Sequence, residues 1–269
     1  MVNRLLTWHE AGPGQLECVL DLYRLLPSDK ERQRFAANWL EFLESDPAHA
    51  DIYQRDGDRL IYLTEHLVPT DTNNRPPLLL VLGNPASHSV KAGMFFSFEA
   101  GAREHRFWKD ILRPAGVLDL ALDIDLPVEE RNARRRDQLL NLEYDSPFRI
   151  GLSVFISMPS AASGPWSGIA GVRKLIGSEA MARLEVTEAD RVRESTKAFI
   201  QPGGAVVAFQ KNAWDGLRSP NDPPYSINAA KAGKLRGTMS SMPDVPIYCT
   251  PPTRLAGPAR DALKHFLNL

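Results

Sequence analysis

Apolar positions along this chain follow two rhythms. Four short runs, 78–82, 150–157, 205–209 and 245–249, are apolar with little alternation to polar residues. A strand that needs no polar face is buried on both sides. Between and after these runs, residues 106–114, 166–176, 188–200 and 258–267 repeat apolar residues at helical spacing. Strands alternating with helices argue for parallel strands joined by right-handed crossovers. The predicted fold is α/β, a doubly wound, mainly parallel four-stranded sheet flanked by helices. Residues 1–75 read instead as a mainly helical extension. Cys18, Val19, Leu20, Leu22, Tyr23, Leu25 and Leu26 have helical spacing up to Pro27. Ser28 and Glu31 then form a capping box before a helix presenting Phe35, Trp39, Leu40 and Leu43. Residues 59–64 are a candidate strand, and the polar, proline-ended stretch 70–77 is a loop. The predicted organisation is a helical N-terminal extension over 1–75, read as a structural cap, and an α/β domain over 76–269.

Composition adds limits. Lys plus Arg number 32 against 33 for Asp plus Glu, a formal charge of -1, so any nucleic-acid contact must be a local basic patch. Two cysteines, Cys18 and Cys249, are too few for a metal cage or disulfide framework and read as core thiols. No metal or cofactor is expected. The absence of a long apolar run predicts a soluble, cytoplasmic protein without a membrane partner.

Each apolar run ends in a polar or proline-rich turn, at 83–89, 158–165, 210–212 and 250–257. Parallel strands bring such turns to one sheet edge, where open α/β sheets bind ligands. Gly83-Asn84-Pro85-Ala86, Gly93, Phe96 and Phe107-Trp108 occur in the order of a motif in the uracil-DNA glycosylase superfamily, and the chain resembles its mismatch-specific and single-strand-selective branches. Two departures stand out: Gly83 directly precedes Asn84, and Ala86 replaces a glycine. In the last turn, Pro252, Thr253 and Leu255 match the proline, small hydroxyl and wedging leucine of the family's second motif, whereas Pro251 replaces its His or Asn.

The resemblance implies a DNA glycosylase that flips a damaged or deaminated base and hydrolyses its N-glycosidic bond without a metal, with DNA as partner. Asn84 and Thr253 are the implied catalytic residues, with the Asn84 carbonyl holding a water against the sugar. Phe96 would stack on the extruded base, and Ser157 and Ser160 would read its edge. Arg254 and Leu255 would contact the DNA, as phosphate ligand and wedge. Proline at 251 can neither donate from a side chain nor offer a backbone N–H to a departing oxyanion. That substitution favours the alternative, a non-catalytic member binding a base, nucleotide or nucleic acid.

Other candidates carry less. Residues 163–168 lack the order of a nucleophile elbow. His88 has no spaced metal-ligating partner. Arg103, His105, Arg106 and Lys109 form one basic segment, and Arg131, Arg134, Arg135 and Arg136 another, in the manner of solvated helix faces.

Overall fold

The computed structural model describes residues 4–98, 101–200 and 202–268. Its strands are β1 (Leu6–Gly12), β2 (Gln15–Asp21), β3 (Tyr53–Asp56), β4 (Arg59–Leu67), β5 (Pro77–Leu82), β6 (Arg149–Val154), β7 (Ala205–Phe209), β8 (Arg236–Met239) and β9 (Met242–Thr250). All nine of these strands join one mixed sheet in the order β1-β2-β4-β6-β5-β7-β9-β8, with β3 paired to β4. This corrects the expected four-stranded sheet with a mainly helical N-terminal extension. The segments β6, β5, β7 and β9 are parallel neighbours, while β4 joins β6 and β8 joins β9 antiparallel.

The correction has a local cause. Leu16, Cys18 and Leu20 are buried while Gln15, Glu17, Val19 and Asp21 are half-buried, the two-residue period of a strand. Gly14, at φ +75°, lies in the turn from β1 into β2. The helical expectation merged β2 with the separate one-turn helix α1 (Leu22–Leu25). The capping box is present: Ser28 Oγ accepts from Glu31 N–H and the Glu31 carboxylate accepts from Ser28 N–H, opening α2 (Asp29–Glu44).

The other helices are α3 (His49–Ile52), α4 (Ser87–Ala92), α5 (Val128–Leu140), α6 (Gly168–Ile176), α7 (Ser178–Phe199), α8 (Lys211–Leu217), α9 (Ile227–Lys231) and α10 (Ala256–Leu267), with a π-helix over Phe107–Leu112. Every residue of β5 is buried because the sheet is covered on both faces. Leu79 and Val81 pack in one cluster with residues of α2, α6 and α7, including Phe42, Leu175 and Leu184. Leu78, Leu80 and Leu82 pack in a second with Phe107, Ile111 and Leu263 of the π-helix and α10. At ~25 cal/mol per Å² of apolar surface, two-sided burial makes this strand a large contributor to folding. No helix among the described residues is long and apolar enough to cross a membrane.

Candidate functional site at the carboxyl edge of the parallel strands

The chain runs from β5 to β6 on one side, then crosses to β7 on the other, so the carboxyl end of β5 lies where the strand order reverses. The turn after β5 is tied to the turn after β6. Ile156 N–H donates to Gly83 O at 2.8 Å, Ser160 N–H to Pro85 O at 3.1 Å, and Ser87 N–H to Ser160 O at 2.9 Å. The turn after β7 closes from the other side: a Cβ on Gly83 would sit 1.8 Å from Gln210 Nε2. Any side chain immediately before Asn84 would therefore displace the Gln210 amide that follows β7. Gln210 N–H donates to Thr250 O at 3.3 Å, which brings in the end of β9.

Within this edge the orientation of Asn84 is set by chemistry. Its Nδ2 donates to Ser160 Oγ at 2.8 Å and to Met158 O at 3.3 Å. A backbone carbonyl only accepts, so the NH₂ must face Met158 and the carbonyl must face away. That carbonyl oxygen accepts no hydrogen bond among the described residues. Gly168, at φ +65°, borders it, and a Cβ there would lie 4.0 Å from Asn84 Oδ1. The result is a half-buried acceptor held by two donor contacts and left available at the sheet edge.

The remaining expected residues divide. Ser160 is buried beside Asn84 and holds it. Ser157 is also buried, but its hydroxyl donates to Glu188 Oε1 at 2.5 Å, so the Tyr62 hydroxyl, 2.7 Å away, must donate to Ser157. Its oxygen is fully engaged inside the protein. Phe96 adopts φ +45°, its carbonyl accepts from Trp108 Nε1 at 3.0 Å, and its ring has His105 stacked at 4.4 Å and Phe107 at 4.5 Å. Rings of its own chain thus occupy the surface expected to receive a base. Thr253 and Leu255 are half-buried and Arg254 exposed in the turn before α10, where Leu255 N–H donates to Pro252 O at 2.8 Å. Among the described residues no hydrogen bond joins Thr253 to Asn84 or Ser160. Pro251 is buried.

Two features of this region escaped the sequence. Gln210 has φ +104° and ψ 172°, a conformation adopted essentially only by glycine elsewhere. Nothing in Phe209-Gln210-Lys211 signals it, since a turn is all that local composition encodes. Glu188 and Arg191, both fully buried, pair at 2.6 Å beneath the turn after β6. Burial holds Arg191 back from protonation, yet Glu188, Cys18 and Tyr62 together outweigh it and raise the guanidinium above its ordinary value. Both cysteines are buried and free, and burial pushes the Cys18 thiol up to about 12. No cluster of three or more metal-ligating side chains occurs among the described residues.

No family model matches the chain, and no match was found among curated proteins. The geometry of the edge therefore carries the functional argument.

Proposed function

We propose that the carboxyl edge of β5 and β7 binds a nucleobase in DNA, and that the protein is a glycosylase-like hydrolase of its N-glycosidic bond. The supporting observation is the Asn84 carboxamide, whose NH₂ is spent on Ser160 and Met158 while its carbonyl stays available. A fixed acceptor of this kind orients a water without deprotonating it. Water oxygen bonds to the sugar C1′, the C1′–N electron pair leaves with the base, and a proton released from the water reaches the base through solvent. Gln210, whose amide lies over Gly83, brings a donor and an acceptor to the same edge for reading a base. Because the contact to water matters chiefly in the transition state, Asn84→Ala should slow excision by roughly one to three orders of magnitude while leaving oligonucleotide binding nearly intact. The test is a cleavage screen of oligonucleotides that each carry one altered base, with alkali to reveal abasic sites, repeated on folded Asn84→Ala.

Pro251 and the rings already lying against Phe96 favour a second reading, a non-catalytic protein that binds a base, nucleotide or nucleic acid at this edge. Wild type that binds altered oligonucleotides but excises no base selects that reading. If neither binding nor excision responds to Asn84 or Gln210 substitutions, this edge is not the site.

A further inference from the structure

A cavity of about 520 Å³ is lined by Phe98, by side chains between Ala102 and Arg113, by Leu122 and Ile124 of the loop preceding α5, and by Arg131 of α5. Its wall comes partly from the segment that covers Phe96: His105 stacks on Phe96 while its neighbours Glu104 and Arg106 line the cavity. The cavity thus adjoins the segment whose His105 packs on Phe96.

Its charges are unequally satisfied. Glu104 is consumed from within: Arg113 grips it with two hydrogen bonds of 2.9 Å each, and the buried Arg135 donates to it at 2.5 Å. Arg135 lies over the Phe98 and Trp108 rings, which gives this charged floor a fixed frame. Arg131 is held against Phe98 and donates to the Leu126 and Ile124 carbonyls, spending hydrogen bonds but not charge. Arg103, Arg106 and Lys109 are exposed and make no ion pair with any described residue. Asp110 is the one lining carboxylate without an ion pair among the described residues. A chain of formal charge -1 therefore concentrates in one concavity three cations that have no ion pair among the described residues. Beside them stand two exposed apolar side chains, Leu122 at 41% and Ile124 at 69%.

We propose that this cavity binds the phosphomonoester of a nucleotide, either free or as the phosphorylated end of a DNA strand. A monoester carries about -1.5 to -2 charges near neutral pH, which three cations without an ion pair among the described residues answer better than the single charge of an internal diester. Arg103 and Arg106 supply planar forks for its oxygens and Lys109 a point charge. The volume falls in the roughly 300–1,000 Å³ range of small-molecule sites, so it holds more than an inorganic ion. Leu122 and Ile124 offer exposed apolar surface for the attached sugar and base. The phosphate follows from the cavity alone; assigning the organic part as a nucleoside rests on the proposed function.

Calorimetric titration of the full chain with a deoxynucleoside 5′-monophosphate, the matching nucleoside and inorganic phosphate tests the inference. A parallel titration uses an oligonucleotide with and without a terminal phosphate. The monophosphate, the phosphorylated strand or both should bind at least tenfold more tightly than the unphosphorylated counterpart, and which of them does so identifies the source. The Arg103→Ala/Lys109→Ala double variant should lose that preference, and Asp110→Asn should strengthen it a few-fold. Equal binding with and without the phosphate, or a preference that survives the double variant, overturns the site. Inorganic phosphate binding as tightly as the nucleotide overturns the nucleoside part. The readout is independent of excision: Asn84→Ala should keep the phosphate preference, so failure of the glycosylase reading and failure of this cavity are seen separately.

Discussion

Ser157 and Ser160 stand three residues apart after the same strand and end in opposite circumstances. Ser160 closes on Asn84 at the sheet edge and leaves an acceptor available, whereas Ser157 is absorbed into a fully buried chain of Tyr62, Glu188 and Arg191. The edge keeps unspent valency where solvent reaches it. The buried network spends its carboxylate on Ser157 N–H at 2.6 Å, Ser157 Oγ at 2.5 Å and Arg191 Nε at 2.6 Å. Arg191 Nη2 also donates to Val154 O at 2.5 Å, clamping the end of β6. One region leaves an acceptor unpaired at the sheet edge, and the other holds the end of β6.

That contrast predicts different penalties. The largest is expected at Arg191→Met, which strands the Glu188 carboxylate in the interior and should cost about 3–5 kcal/mol in urea unfolding. Adding Glu188→Gln should recover part of the loss, because the uncompensated charge disappears. A cost below about 1 kcal/mol would mean that the pair does not secure the strand end and that the comparison with the edge is misplaced.

A smaller effect is expected at Glu65 on β4, buried to 2% exposure with Oε1 lacking a hydrogen-bond partner. Burial raises its carboxyl well above the ordinary 4.5. In the unfolded chain the proton leaves around 4.5, whereas the folded protein retains it to higher pH. The unfolded state then binds fewer protons, so this group's contribution is fully present below 4.5 and is lost as pH rises toward the folded value. The loss approaches about 1.4 kcal/mol per pH unit at most. Glu65→Gln keeps the shape and removes the titration, so its stability advantage over wild type should grow between about pH 5 and 7. Parallel pH profiles would show that Glu65 contributes no such titration.

The smallest expected change in stability sharpens the edge itself. Gln210→Gly relieves a backbone conformation that costs on the order of 1–3 kcal/mol, partly offset by the greater freedom of glycine when unfolded. Thermal unfolding should therefore show unchanged or slightly greater stability, while discrimination among altered bases in the cleavage screen falls. Lower stability with unchanged discrimination would mark Gln210 as a packing residue.

The periodicity of the chain located all four parallel strands, because two-sided burial in a sheet centre demands apolar residues at every position, and that demand is local. The capping box at Ser28 and the turn at Asn84 were legible for the same reason. The antiparallel strands were misread at Cys18 to Leu26, where a strand and a one-turn helix abut and their apolar residues imitate a single helical run. Pairing of β4 with β6 decided that they extend one sheet, and such pairing joins residues far apart in sequence. Residue types also nominated Asn84 and Ser160, but contact across 76 positions oriented the amide. Ser157 and Ser160 are the same residue type and differ in their partners, Glu188 and Tyr62 for one and Asn84 for the other. Tertiary structure alone turned one inward, strained Gln210 over Gly83, and set Leu122, Ile124 and Arg131 against the basic segment 103–109 to form a cavity, because direction and neighbourhood are set by packing between distant segments.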